Sequence, residues 1–177
     1  MCQMALFDFL KLKKTSNLHF YLSWSSKTMK VLKSLLPELS LNYKTSTYPK
    51  VKITCSGDAF NLLQQVYDLN TIDYIETVVV LFLNRANNTL GWMRLSHGGQ
   101  SGCVVDGKVL FASALQCGAS SIIVSHNHPS GELQPSDSDN KLTARIVEVG
   151  KYLDLQVLDH LIVSRYNYYS FADEGKI

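Results

Sequence analysis

The sequence predicts an α/β (α+β) fold in which helices flank a central mixed β-sheet. Two apolar runs rich in β-branched residues, at 77–84 and 121–124, have the composition of strands that are buried on both faces. Apolar residues then recur at helical spacing between Ser136 and Tyr152. Because helices occur between the strands along most of the chain, we expect a sheet covered by helices, with the chemistry collected at strand ends.

The remaining elements follow from turn and capping residues. Residues 85–88 have the chemistry of a hairpin turn. Asp106 can cap a helix that Gly118 ends, and because this helix is apolar nearly all round, it is expected to be buried. The predicted elements, in chain order, are a helix at 56–67, strands at 77–84 and 89–96, a helix from 106 to 118, a strand to 124, a helix from 136 or 137 to about 152, a strand at 155–163 and a short hairpin through 168–171.

Candidate metal ligands are concentrated between residues 125 and 139. His126 and His128 lie at i and i+2 where a strand ends, so an extended or turning backbone places both on one side. A proline and a glycine oppose a helix before Ser136, and Asp139 falls in the first turn of the helix that follows. Its carboxylate can fold back toward the imidazoles. Two nitrogens and one oxygen with a fourth position for water is the arrangement of a catalytic zinc site.

This pattern resembles a known family. The order His126-x-His128, seven residues, Ser136, two residues and Asp139 is similar to the signature of JAMM (MPN+, JAB-domain) metalloproteases. The stretches His-Pro-Ser-Gly at 128–131 and Leu-Asp-His-Leu at 158–161 resemble the RadC branch of that family, and the resemblance extends over roughly residues 50 to 177. It implies a cytidine-deaminase-like JAB/MPN domain that holds Zn²⁺ through the two histidines and the aspartate.

The resemblance also implies two catalytic residues. In such domains a glutamate from an earlier strand activates the water on the zinc, and the serine of the motif helps to bind the developing oxyanion. Glu76 is the matching acid, since it opens the apolar run and lies eight residues before Asn84. The alternative for Glu76 is a solvated acid at a strand end. Ser136 also has an alternative, because Ser136-x-x-Asp139 is a serviceable helix-capping pair.

The other histidines stay outside the predicted site. His160 lies in the strand-like stretch 155–163 and is expected to be a core histidine, with contact to a metal ligand as the alternative. His97, beside two glycines, is expected in a loop. His19 has no candidate partner nearby in the sequence.

Charge divides the chain into two parts. Residues 1–50 hold eight Lys or Arg and two acids, whereas residues 51–177 hold nine and thirteen, so the net charges are +6 and −4. We expect a basic, poorly ordered N-terminal extension at 1–48 and the RadC-like domain at 49–177. The alternative for the extension is a non-specific nucleic acid contact made by charge.

Spacing excludes other zinc chemistries. The chain has no H-E-x-x-H, no H-x-E with P-C-x-x-C and no C-x-x-C. No apolar run has the length of a membrane span or export signal, so a cytoplasmic protein is expected. The leading hypothesis is a zinc hydrolase, metallopeptidase- or isopeptidase-like, that acts on a peptide or protein substrate. The alternative is a non-enzymatic RadC-like module of DNA repair or mobile elements with a structural zinc.

Overall fold

The computed structural model describes residues 49–99 and 104–177. The predicted N-terminal extension lies outside these residues and stays a prediction. The described helices and strands are α1 Ser56–Val66, β1 Thr77–Leu83, β2 Thr89–His97, α2 Gly107–Gln116, β3 Ser121–Asn127, α3 Asp137–Tyr152, β4 Gln156–Val163 and β5 Tyr168–Ser170. Among these helices, none is long and apolar enough to cross a bilayer.

The strands form one mixed sheet in the order β2-β1-β3-β4-β5. Pairing is antiparallel between β2 and β1, between β1 and β3, and between β4 and β5. It is parallel between β3 and β4, which need the long crossover that α3 supplies. The predicted α/β class with a central mixed sheet is confirmed.

The sheet has a hydrophobic core on each face. Every residue of β1 and β3 is buried, which is why both strands are almost continuously apolar. On one face, Phe60 and Leu63 of α1 pack with alternate strand residues such as Val79 and Ile123. On the other face, α2 and α3 pack on the intervening residues, which include Val124. The side chain of His126, two residues further along β3, therefore lies on the α2/α3 side of the sheet.

The prediction that α2 is buried is wrong for the outer side of the helix. Only Leu110, Phe111 and Ala114 are buried, whereas Val109 and Leu115 are 46% and 52% exposed. The helix lies in an outer layer, so one side of it faces solvent whatever its composition. Its predicted cap is confirmed, because the Asp106 side chain accepts a hydrogen bond from the backbone N–H of Lys108 at 2.8 Å.

Two strands extend further than the sequence predicted. β3 runs to Asn127, so His126 lies inside the strand, in register with Val78 of β1 and Ile162 of β4. β2 runs to His97, which pairs with Thr77, so the predicted loop position of His97 is wrong. In both strands, backbone pairing with a neighbour continues into residues whose side chains gave no strand signal.

Candidate metal centre

Three side chains converge where β3 ends and α3 begins. His126 comes from β3, His128 from the residue just beyond it, and Asp139 from the first turn of α3. The two Nε2 atoms lie 3.0 Å apart. Asp139 places Oδ1 at 3.3 Å from Nε2 of His126 and Oδ2 at 3.6 Å from Nε2 of His128. Within the described part of the chain, this is the group of His, Cys, Asp and Glu residues able to hold a metal ion.

The spacing of these atoms fits a tetrahedral divalent ion. Metal–ligand bonds of about 2.0–2.1 Å at tetrahedral angles separate neighbouring ligand atoms by about 3.3 Å. The two nitrogens, 3.0 Å apart, and the 3.3 Å from Nε2 of His126 to Oδ1 of Asp139 are close to this value, while Oδ2 of Asp139 is the oxygen that lies 3.6 Å from His128. One ligand atom from each residue lies within 4.8 Å of the others. Two imidazoles with one carboxylate are typical of zinc, whereas magnesium and calcium prefer oxygen ligands. His126 is 3% exposed, but His128 and Asp139 are 18% and 13% exposed. The group is therefore open to solvent on one side.

The backbone after β3 sets the tautomer of His128. Nδ1 of its ring lies 2.6 Å from the carbonyl oxygen of Glu132. Because a carbonyl oxygen can only accept, Nδ1 carries a proton, and Nε2 is the ring atom left to bind a metal at the centre. Gly131, with φ of 77°, supplies the left-handed turn that brings this carbonyl back to the ring.

Ser136 and Asp139 form a capping box at the start of α3. The Asp139 carboxylate accepts from the backbone N–H of Ser136 at 2.8 Å and from its hydroxyl at 2.6 Å, while the Ser136 oxygen accepts from the N–H of Asp139. The hydroxyl thus bonds to a candidate ligand. Burial alone would raise the pKa of Asp139, but hydrogen bonds from His126, His128 and Ser136 outweigh it and hold that pKa well below its usual range.

Glu76 lies immediately before β1 and is partly buried. Its backbone N–H donates to the carbonyl of Gly99, and its own carbonyl accepts from the N–H of Gly98. Backbone pairing between the segment before β1 and the segment after β2 therefore continues beyond the two strands. Val78 faces His126 across the β1–β3 ladder, and Glu76, two residues earlier, shares its side of the sheet. The pKa of His128 is raised chiefly by its hydrogen bond with Asp139, against the effect of burial, and the charge of Glu76 adds to the rise. Glu76 is thus close enough to act electrostatically on the centre.

Asn127, between the two histidines, was missed by sequence reasoning. Its side chain lies on the opposite side of β3 and is fully buried. Its oxygen accepts from the backbone N–H of Thr77, and its amide nitrogen donates to the carbonyls of Ile72 and Ile75 at 2.6 and 2.9 Å. This side chain holds the segment that carries Glu76 against the strand that carries the ligands. A buried asparagine at a strand end was the available signal, since it requires partners.

His160 is a core residue, as expected, and it also contacts a candidate ligand. Its ring is 0% exposed and stacks on Phe171, with centroids 4.9 Å apart. Its Nε2 lies 2.9 Å from Nδ1 of His126, and its Nδ1 lies 2.6 Å from the hydroxyl of Thr143. Burial, followed by the charge of His126, lowers the pKa of His160 to about 3. Thr143 was missed, although it stands one helical turn after Asp139 on the same face of α3.

Comparison with known proteins agrees with this architecture. Residues 53–176 match the family model of the RadC-like JAB domain. The chain is 44% identical over 124 residues to a UPF0758 protein of Flavobacterium johnsoniae, an alignment that covers 70% of this chain and 53% of that protein. It is 33% identical over 151 residues to a UPF0758 protein of Chlorobium chlorochromatii, covering 85% and 65%. The chain thus spans between half and two thirds of these curated relatives. It belongs to the RadC-like JAB domain family.

Proposed function

We propose that this domain is a zinc-dependent hydrolase of the JAMM type, acting on a peptide or isopeptide bond. The observation that carries the proposal is the convergence of His126, His128 and Asp139 at the spacing of a tetrahedral ion, in a group that is open on one side. Membership of the RadC-like JAB family supports it. The substrate class rests on the resemblance of the motif to JAMM metalloproteases.

The residues divide the chemistry among them. Zinc held by the three ligands would polarise the substrate carbonyl and lower the pKa of a water molecule. Glu76, immediately before the strand that pairs with the ligand strand, takes the proton of the attacking water and returns it to the amine that leaves. Ser136 donates its hydroxyl to the developing oxyanion, which requires the hydroxyl to turn away from Asp139. An amide bond is thereby cleaved into a carboxylate and an amine.

The openness of the group favours a catalytic over a structural zinc. Structural zinc sites use four protein ligands and are closed, whereas catalytic sites keep three and leave one position free. In residues 49–99 and 104–177, three residues form the group, and His128 and Asp139 both reach solvent. A substrate can therefore approach from the His128 side.

Hydrolysis of a peptide and isopeptide library tests the proposal. Wild-type protein and Glu76→Gln are compared at matched zinc occupancy, since a difference in metal content would mimic a catalytic defect. Glutamine cannot accept the proton at neutral pH, so turnover should fall by about 10²- to 10⁴-fold. Glu132→Gln is the comparison variant, because this exposed acid of the zinc loop, whose side chain bonds the backbone N–H of Gln134, is the next candidate for the base.

Each of the other outcomes rejects a different part of the proposed function. Equal rates for wild type and Glu76→Gln would remove the general base assignment. If Glu132→Gln alone is slow, Glu132 is the base. No cleavage by any variant across a broad library would favour the alternative, a non-enzymatic RadC-like module in which zinc is structural.

A further inference from the structure

We propose that Thr143 and His160 form a hydrogen-bond relay that holds a proton on Nδ1 of His126, so that Nε2 is the ring atom left to bind a metal at the candidate position. The three residues belong to α3, β4 and β3. The inference deepens the metal-binding part of the proposed function. It makes Thr143 and His160 positioning residues, which act through His126 and touch neither metal nor substrate.

The direction of the relay is set at Thr143. Its hydroxyl oxygen lies 2.7 Å from the backbone carbonyl oxygen of Asp139. Two acceptors would repel at this distance, and a carbonyl cannot donate, so the hydroxyl gives its only proton to Asp139. Its oxygen is then restricted to accepting.

His160 must therefore be the donor in its contact with Thr143. Its Nδ1 lies 2.6 Å from that oxygen and has to carry a proton. The ring is completely buried, and in the described part of the chain no carboxylate forms an ion pair with it. An unpaired cation in such a place is costly, so the ring is neutral. Its Nε2 is consequently an acceptor.

His126 completes the relay. Its Nδ1 lies 2.9 Å from the accepting Nε2 of His160 and so must be the donor. The ring atom of His126 that is left for a metal is Nε2, which faces His128 and Asp139. The carbonyl of Glu132 holds a proton on Nδ1 of His128 in the same way. Both histidines therefore keep a proton on Nδ1, and a proton that Nε2 shares with Asp139 or with the other ring leaves when the metal binds.

The relay begins and ends at the candidate centre. Asp139 supplies a carboxylate to the centre and the backbone carbonyl that orients Thr143. Stacking on Phe171, at an interplanar angle of 11°, holds the plane of the His160 ring. The partner of a metal-bound histidine is usually a carboxylate, a backbone carbonyl or water. A neutral imidazole is a weaker acceptor than a carboxylate, so it draws the Nδ1 proton of His126 less strongly. We therefore expect His126 to bind the metal as a neutral imidazole and not as an imidazolate.

Nitrogen-15 NMR of the metal-free full chain, labelled at histidine, tests the relay without requiring hydrolysis. We expect His126 and His160 both to carry the proton on Nδ1. Thr143→Val removes the acceptor for His160, so it should lower the fraction of His126 that carries a proton on Nδ1. Thr143→Ser keeps the hydroxyl and is the matched control. Absence of a proton from Nδ1 of His126 in the metal-free wild type would overturn the proposal.

Zinc affinity, measured by chelator competition, provides a second readout. His160→Phe keeps a ring on Phe171 but removes the acceptor, and zinc affinity should fall by about 10- to 100-fold. His160→Gln restores an acceptor oxygen and should recover most of that loss. Equal affinities for wild type, His160→Phe and Thr143→Val would reject the relay. A wild type with both rings protonated on Nδ1 but no affinity for zinc would instead reject the proposed function and leave the relay standing.

Discussion

The side-chain oxygen of Asn127 accepts a hydrogen bond from the backbone N–H of Thr77 at 2.8 Å. Asn127 lies between the two candidate histidine ligands, and Thr77 directly follows Glu76. The same side chain also binds the carbonyls of Ile72 and Ile75. Asn127 thus fixes the distance between the ligand strand and the segment that carries the proposed base. It does so from the face of the sheet opposite the histidines.

Replacing Asn127 with Ala should uncouple these two elements. Each buried polar group that loses its partner costs about 1–3 kcal/mol, so the free energy of unfolding should fall clearly. Zinc content should be unchanged, because the ligands do not depend on this side chain, whereas hydrolysis should slow as Glu76 shifts. Asn84→Ala is the control, since that side chain bonds backbone N–H groups in the more exposed hairpin turn. Equal losses of stability in urea unfolding for the two variants would contradict the prediction.

The purified chain should hold about one zinc ion, and the double variant His126→Ala/His128→Ala should hold none. Elemental analysis measures this directly. His97→Ala is a matched control: it lies at the same end of the sheet with Nδ1 3.3 Å from the Thr77 hydroxyl, but it is not part of the ligand group. Because the ion would join a strand end to a helix start, its removal should also lower the melting temperature. Full zinc occupancy in the double variant would sink the ligand assignment.

The parts of the site that the sequence predicted are local in the chain. His126, His128 and Asp139 lie within fourteen residues, and a strand end, a loop and a helix cap bring them together without distant contacts. The hydrophobic runs of β1 and β3 likewise predicted their own burial.

The parts that the sequence left open or missed depend on long-range pairing. His160 reaches His126 because β4 pairs in parallel with β3. The sequence of neither strand alone specifies the register of that pairing. Asn127 finds its partners more than fifty residues away in the segment before β1. The exposure of Val109 and Leu115 depends on which layer α2 occupies, and an apolar helix sequence does not specify that.

Asp159 should make stability fall as pH rises above the usual range of a carboxyl group. Burial raises its pKa above 3.8, although hydrogen bonds from Ser170, Ala172 and His160 partly oppose this effect. Between 3.8 and the raised value the folded state binds more protons than the unfolded state, so the free energy of unfolding decreases with pH in that window. Asp159→Asn cannot ionise, and its stability relative to wild type should therefore rise through the window. Urea unfolding gives the free energy of unfolding of both proteins at each pH from 3.5 to 7. A difference between Asp159→Asn and wild type that stays constant over this range would contradict the prediction.

Ser136→Ala separates the two roles of the Ser136 hydroxyl. Loss of the cap should reduce the free energy of unfolding by about 1 kcal/mol. It should also weaken zinc binding, because Asp139 loses the hydrogen bond that orients its carboxylate. At saturating zinc these effects no longer limit turnover, so any remaining defect reports on the oxyanion. We expect kcat to fall by about 10²-fold under that condition, as it does when one oxyanion donor is removed, and Ser136→Thr to restore both stability and rate. An unchanged kcat for Ser136→Ala at full zinc occupancy would leave Ser136 as a helix cap that acts only through Asp139.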